Sequence, residues 1–265
     1  VSVAEEMERE SVAYEQSYRQ YQHLPQARIT HIDYRIDLYP EARRFRIEAD
    51  VVARNKTQEA IDQVHFRLPD QMEVDISIPG ARIVHLDSIL RYQIFQLSTS
   101  LAPGDSLRYR VRVDYTPTGI ENEVSNTDIV DNGTFLSNYK LMPSIGYQAR
   151  RELSDARKRE QYGLPYRPRM APLHPTCGHA CHNNYLSSDS DWVQIRSEIS
   201  TTADQIAIAP GTLVREWQTE GRRHFEYRVD RPVLNFYSFI SGRYEVARRT
   251  WQPAQGRPVE MEVYY

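Results

Sequence analysis

Cysteine and histidine side chains crowd into one short stretch of the sequence, residues 174–182. Thiolate and imidazole are ligands that zinc and copper prefer, and we take four of these five side chains as candidate metal ligands: Cys177, His179, Cys181 and His182. Their spacing matches no familiar zinc finger, and one short loop would have to wrap four ligands around the ion. Three hypotheses stay open: a metal site, a disulfide between Cys177 and Cys181, and a surface loop without a ligand.

Other catalytic signatures are missing from the sequence. It contains no G-x-S-x-G motif of a hydrolase and no glycine-rich motif of the G-x-x-x-x-G-K-[ST] or G-x-G-x-x-G type that would bind phosphate. None of the eight His residues is followed by Glu, so the zinc-binding motif H-E-x-x-H is absent too. We therefore predict that these residues have no catalytic activity by themselves and no cofactor of their own.

Charge and composition narrow the classes of function. The 265 residues carry a net charge of -3, which provides no general field for binding nucleic acid. No apolar run approaches the roughly 20 residues of a membrane span. A hydrophobic content of 40% and eighteen Tyr residues indicate a soluble, strand-rich globular protein with rings at the rims of its sheets.

Residues 1–25 predict a helix and a linker. Ser2 and Glu5 form a capping box, and apolar or aromatic side chains then recur at helical spacing: Val3, Met7, Tyr14, Tyr18 and Tyr21. Two roles are open for this amphipathic helix. It packs on the domain that follows, or it is a stalk that continues from a membrane segment upstream.

Residues 26–265 predict one mainly β domain. Apolar and polar side chains alternate in residues 29–38, 44–53, 107–115, 192–200 and 223–229, and a period of two is typical of strands with one wet face. Turn residues separate these segments, and no long helical pattern lies between them. We therefore expect an antiparallel two-sheet sandwich or saddle, with Phe225, Tyr227 and Val229 facing inward.

The alternation disappears in residues 138–186, where Pro, Arg and Lys accumulate. This composition predicts a long irregular Pro/Arg-rich insertion whose first half, residues 147–162, forms a short helix. Its basic side chains either contact anionic lipid or an acidic partner, or they belong to a solvated excursion that covers a sheet edge.

The densest aromatic block lies in residues 230–246. Such a block either closes a core or seats against a neighbouring domain, so we predict a docking surface that includes the terminal strand and four aromatic residues: Phe236, Tyr237, Phe239 and Tyr244. The sequence begins without Met and ends inside an alternating pattern. We therefore expect it to be part of a longer protein.

The order of these segments resembles the amino-terminal domain of the aminopeptidase N family of zinc metallopeptidases. The resemblance begins with two paired alternating strands, continues with the turn of residues 101–105 (Leu-Ala-Pro-Gly-Asp) and the strand after it, and ends with the block that contains Pro232, Phe236 and Gly242. Short phrases in residues 24–26, 37–40, 132–135 and 142–147 look most like bacterial members. In those proteins a membrane segment like an ABC-transporter permease precedes an extracytoplasmic peptidase-like portion.

The resemblance implies a non-catalytic scaffold that walls the substrate cleft of a membrane-attached aminopeptidase-like protein, or of an inactive relative. Zinc would then be bound by H-E-x-x-H in a catalytic domain downstream, which would be the partner of this domain, and the parent would act on peptides. The family's amino-terminal domain usually reaches the substrate with Gln or Glu before Ala-Arg-Arg. Residues 148–151 read Gln-Ala-Arg-Arg, which makes Gln148 the candidate contact, although the Phe-Pro element that follows in the family is absent.

A second hypothesis comes from another class of function. A stand-alone β-sandwich could bind carbohydrate or protein ligands with its Tyr-rich rim, because aromatic rings stack on sugars. The two hypotheses differ in the sequence downstream of Tyr265. The hypothesis of an aminopeptidase N-like domain predicts H-E-x-x-H there. The hypothesis of a stand-alone binding module predicts a stop codon or an unrelated module.

Overall fold

The computed structural model describes residues 3–117, 127–168 and 186–265. The candidate metal ligands Cys177, His179, Cys181 and His182 lie outside the described residues. Their three hypotheses therefore stay predictions.

Three α-helices are present in the described part of the chain: α1 (Val3–Tyr18), α2 (Asn138–Leu141) and α3 (Ala156–Gln161). Helix α1 confirms the predicted amino-terminal helix, and a 3-10 turn, Arg19–Tyr21, extends it. Its apolar stripe differs from the expected one in one place, because Met7 faces solvent. Helix α3 confirms a short helix in the insertion, although it occupies only Ala156–Gln161 of the expected residues 147–162. Asp155 caps it by accepting hydrogen bonds from two backbone N–H groups of its first turn.

The strands occupy most of the remaining described residues. Before the insertion they are β1 (Arg28–Tyr39), β2 (Arg44–Arg54), β3 (Ile61–Arg67), β4 (Glu73–Ser77), β5 (Ala81–Asp87), β6 (Tyr92–Leu101), β7 (Ser106–Tyr115), β8 (Ile129–Val130) and β9 (Gly133–Ser137). Within and after it they are β10 (Ser144–Ile145), β11 (Ser190–Thr202), β12 (Ile206–Ile208), β13 (Thr212–Thr219), β14 (Arg222–Arg228), β15 (Val233–Leu234), β16 (Ser238–Gly242), β17 (Val246–Trp251) and β18 (Val259–Tyr264).

The largest sheet of the described residues has eight strands, in the order β13-β14-β11-β1-β2-β7-β4, with β15 paired to β11. Strands β1 and β2 form the predicted antiparallel hairpin, and Arg43 takes a left-handed conformation in its turn. One neighbour was not predicted. Strand β11 pairs with β1 in parallel, with Ile36 opposite Ile199, and so joins the second meander to the first.

Three smaller sheets complete the fold in the described residues. Their strand orders are β10-β3-β6-β5, β12-β16-β9-β8 and β17-β18. The mainly β class with several antiparallel sheets is therefore confirmed. The packed body contains more sheets than the two expected, because the short strands around the insertion form a sheet of their own.

The main core lies between the inner face of the large sheet and the two four-stranded sheets. Its largest fully buried side chains include Tyr34, Phe45, Phe66, Phe225 and Phe239. The inward orientation predicted for Phe225, Tyr227 and Val229 is confirmed, because all three are buried. Each large ring that leaves water contributes about 2 kcal/mol, so this core supplies much of the driving force for folding.

The outer face of the large sheet carries charges that pair across strands. Arg46 on β2 donates to Asp114 on β7 at 2.7 Å, and Arg110 on β7 donates to Asp50 on β2 at 2.9 Å. Exposed pairs of this kind contribute at most about 1 kcal/mol each. They show that this face is adapted to water rather than to an apolar partner.

Candidate functional site

A narrow cavity opens beside Gln148, at the junction of the large sheet with the insertion. Its floor includes Tyr34 on β1 and Tyr109 on β7, and its rim includes Tyr139, Arg150 and Asn235. Its volume is about 30 Å³, which gives room for one or two water molecules. Of the residues predicted from the sequence to form a site, only Gln148 borders this cavity among those the structure describes.

Hydrogen bonds within the domain hold Gln148. Its side-chain amide donates to the carbonyl oxygens of Ile145 at 3.0 Å and Gly146 at 3.2 Å, and its Oε1 accepts from the Ser188 hydroxyl at 3.2 Å. Gly146 has φ of +80°, a conformation that glycine adopts without strain. A substrate would have to compete with these bonds to reach the amide. The substrate contact of Gln148 stays a prediction.

Asp189 contributes a buried carboxylate to the cavity wall. Its Oδ2 accepts from the backbone N–H of Ile145 at 3.0 Å, and its Oδ1 accepts from the Ser187 hydroxyl at 2.5 Å. Burial raises the pKa of Tyr109 well above its ordinary value, and the charge of Asp189 raises it further. The Tyr109 hydroxyl is therefore protonated at neutral pH and remains a hydrogen-bond donor beside a carboxylate.

Sequence reasoning missed Asp189 and Tyr109 as cavity residues. Asp189 stands in a serine-rich stretch that resembles an ordinary loop, and Tyr109 has the periodicity of a core strand residue. The only usable signal was the position of Asp189 directly before an alternating segment.

The predicted docking residues separate into buried and exposed ones. Phe239 is fully buried and packs edge-to-face on Tyr34 at 5.1 Å, so it belongs to the core of this domain and cannot contact another one. Tyr237 is half-buried, and its hydroxyl shares a 2.8 Å hydrogen bond with that of Tyr34. Tyr244 is half-buried against Tyr264. Phe236 is more than half exposed.

Two other exposed aromatic residues, Tyr139 and Trp192, lie in the same region of the domain as Phe236. Its ring stacks on Tyr139, with centroids 5.9 Å apart and planes 15° apart. Trp192 is also exposed, and it pairs with Leu234 where β11 meets β15. We name Tyr139, Trp192 and Phe236 the aromatic surface. It lies next to the cavity, because Tyr139 forms part of the cavity rim.

A second exposed apolar surface belongs to the terminal hairpin, β17 and β18. Several of its apolar side chains are about half exposed: Trp251, Val259, Met261, Val263 and Tyr265. The two strands pair only with each other among the described residues. A two-stranded hairpin is marginally stable in water. Within the described residues, these apolar side chains of the hairpin are left largely uncovered.

The described residues contain neither a metal-binding cluster nor a membrane-spanning helix. No group of three or more His, Cys, Asp or Glu side chains within them is placed to hold a metal ion. No helix within them has the length and apolarity to cross a bilayer.

Comparison with solved structures shows which proteins have this fold. An M1 zinc metallopeptidase from Deinococcus radiodurans superposes with a TM-score of 0.53 at 14% identity, covering 89% of this chain and 47% of the enzyme. The chain shares its fold with M1 zinc metallopeptidases. A mutant of that enzyme bound to a Tyr-Ser-Ala substrate gives a TM-score of 0.52 at 15% identity, covering 91% of this chain and 48% of the enzyme.

A longer enzyme also contains the fold. Legionella pneumophila aminopeptidase A, solved in complex with aspartic acid, gives a TM-score of 0.52 at 10% identity, covering 90% of this chain and 24% of the enzyme. The chain thus spans about half of the Deinococcus enzyme and about a quarter of the Legionella enzyme. No protein-family model matches the sequence, and no curated protein matches it.

Proposed function

We propose that these residues form the non-catalytic β domain of a zinc aminopeptidase-like protein, with the catalytic zinc domain downstream in the same chain. The observation that carries this proposal is the shared fold. It extends over about nine tenths of this chain but over at most half of the M1 enzymes compared, so the rest of such an enzyme has no counterpart here.

The distribution of metal ligands supports a scaffold rather than a catalytic role. H-E-x-x-H is absent from the sequence, and in the described residues no three His, Cys, Asp or Glu side chains are grouped to hold a metal ion. We therefore assign zinc binding to the downstream domain and derive no catalytic step from this one. Peptides would be the substrate of the parent protein, and this domain would form one wall of its cleft.

Two surfaces fit the contact with a catalytic domain. The aromatic surface and the terminal hairpin both expose rings and aliphatic side chains, whereas the outer face of the large sheet is charged. Desolvated aromatic side chains supply most of the energy at protein interfaces. We propose that the catalytic domain covers the hairpin, and that the aromatic surface borders the cleft together with Gln148.

We also propose that the parent is attached to a bacterial membrane on its extracytoplasmic side, through segments outside these 265 residues. The support is the sequence resemblance of residues 24–26, 37–40, 132–135 and 142–147 to members with a permease-like segment.

Hydrolysis of aminoacyl anilides tests the function. The 265-residue chain should be inactive, and the full-length parent should be active, with its activity abolished by a chelator and restored by zinc. Chelator-sensitive hydrolysis by the 265-residue chain itself would refute the scaffold role. A parent gene without H-E-x-x-H after residue 265 would favour an inactive relative or the stand-alone binding module.

A further inference from the structure

Helix α1 contacts the loop of residues 144–152, which we call the Gln148 loop, through Tyr14. The Tyr14 hydroxyl accepts a buried hydrogen bond from the backbone N–H of Gln148 at 2.8 Å. Its ring stacks on Tyr147, with centroids 5.2 Å apart and planes 10° apart. Tyr147 in turn donates to Glu152 at 2.8 Å. The helix therefore holds the loop at its centre, and Tyr147 connects that point to the end of the loop.

A buried ion pair fixes the helix one residue further along. The Arg159 guanidinium donates to both carboxylate oxygens of Glu15, each at 2.7 Å, and the two side chains are only 3% and 1% exposed. Burial alone would raise the pKa of Glu15, but Arg159 and Arg19 outweigh it, so the pKa lies below its ordinary value and the carboxylate stays charged. A bidentate pair has a narrow range of geometries. It therefore sets how the helix is rotated, and with it where Tyr14 lies.

The same guanidinium fastens the insertion to the helix. Arg159 also donates to the carbonyl oxygens of Leu153 at 2.7 Å and Pro165 at 2.7 Å. Lys158 forms a further ion pair with Glu8. Basic residues that the composition left available for lipid or an acidic partner thus bind the acidic helix of their own chain.

Tyr18 connects helix α1 to strands β5 and β6. Its hydroxyl donates to Asp87 on β5 at 2.6 Å, and its ring stacks on Tyr92 of β6 with centroids 4.0 Å apart. Neither residue belongs to the Gln148 loop. The Tyr18 ring also lies beside Tyr14, with centroids 5.7 Å apart, so a control substitution at Tyr18 must keep the ring and remove only the hydroxyl.

From these contacts we propose that α1 is a positioning element for the Gln148 loop. Tyr14 is the contact with the loop, and the Glu15–Arg159 pair keeps Tyr14 in place. Displacing the helix releases the loop and with it the Gln148 side chain beside the cavity. The consequence for substrate binding rests on the proposed function, whereas the coupling between helix and loop rests on this chain alone.

Amide hydrogen exchange measured by NMR on the 265-residue chain tests the coupling. The amides of Gly146, Arg151 and Glu152 are bonded to backbone carbonyls rather than to Tyr14. If the helix positions the loop, Tyr14→Phe and Glu15→Gln should each speed exchange at these three amides about tenfold. Acceleration confined to Gln148 in Tyr14→Phe would overturn the proposal, because it would show the loss of one hydrogen bond only.

The matched control is Tyr18→Phe, which should leave exchange in the Gln148 loop unchanged. Exchange in β1 and β2 reports global stability in every variant. Equal acceleration in the loop and in these strands would also overturn the proposal, because it would indicate general destabilisation.

The full-length parent separates the coupling from the function. Tyr14→Phe should raise KM for an aminoacyl anilide about tenfold while kcat changes less than twofold, since loosening a substrate contact weakens binding. Faster loop exchange with an unchanged KM would keep the coupling and refute the substrate role of Gln148. Unchanged loop exchange would refute the coupling whatever the parent hydrolyses.

Discussion

Lowering the pH from 7 to 5 should destabilise this domain by about 2 kcal/mol through one buried histidine, His65. His65 lies on β3, almost fully enclosed, with Nδ1 2.9 Å from the Tyr92 hydroxyl and Nε2 3.3 Å from the Gln63 amide oxygen. The Tyr21 ring covers it at 4.6 Å. Burial and, to a smaller extent, the nearby His85 together lower the pKa of His65 from 6.5 to about 4.

The sign follows from which state binds the proton. Above pH 6.5 the imidazole is neutral in both the folded and the unfolded chain, so the free energy of unfolding does not depend on its titration. Below pH 6.5 the imidazole binds a proton in the unfolded chain, whereas in the folded chain it stays neutral until the pH reaches about 4. Stability is therefore lost as the pH falls through this window. The full loss is about 3 kcal/mol, and about 2 kcal/mol of it occurs between pH 7 and pH 5.

Urea unfolding of the wild type and of His65→Gln at both pH values measures this effect. Glutamine keeps hydrogen-bonding groups near Tyr92 but does not titrate. The other histidines and the carboxylates contribute to both proteins, so the difference between the two pH dependences isolates His65. We expect the variant to lose about 2 kcal/mol less than the wild type on acidification. Equal losses would refute the assignment of a depressed pKa to this residue.

Two further predictions concern stability and are measured by urea unfolding at pH 7. Phe239→Ala should lower the free energy of unfolding by about 3–5 kcal/mol because the ring is fully buried. Phe236→Ala should change it by less than about 0.5 kcal/mol because that ring is exposed. Similar losses in the two variants would contradict the conclusion that Phe239 belongs to the core and Phe236 to the surface. Gly211→Ala should cost more than about 1 kcal/mol, because φ is +98° and a Cβ would lie 2.2 Å from the Arg228 carbonyl oxygen. Gly221→Ala is its control, with φ of +72° but open space around the Cβ, and a cost as large as that of Gly211→Ala would show that backbone conformation alone decides.

The strands that could be predicted from the sequence are those in which apolar and polar side chains alternate regularly. In β2, in β7 and in β1 after its bulge at residues 29–31, every second residue is apolar, and the structure buries nearly all of these residues. The same alternation carries no information about neighbours, so the parallel pairing of β1 with β11 could not be read from it. It also does not show which rings of an aromatic block are buried and which are exposed. For this reason the sequence predicts that Phe239 belongs to a docking surface, although it lies in the core.

The candidate site was less accessible to sequence reasoning because its contacts join distant segments. Glu15 and Arg159 are 144 residues apart, and each alone looks like a surface charge. Tyr14 resembles any apolar position on a helix, and its hydroxyl gains a role only through the Gln148 backbone. Gln148 itself was found through family resemblance rather than through a pattern of spacing.

The parallel contact between β1 and β11 has a consequence for biosynthesis. Asp33 and Arg196, which pair across it, are 163 residues apart, so a ribosome must synthesise all the residues between them before β1 can acquire this neighbour. Until then the nascent polypeptide carries an open strand edge at the centre of its future largest sheet, a known route to aggregation. Long-range closure of this kind also slows folding. The amino-terminal half thus emerges early but completes its structure late, when the second meander has been translated.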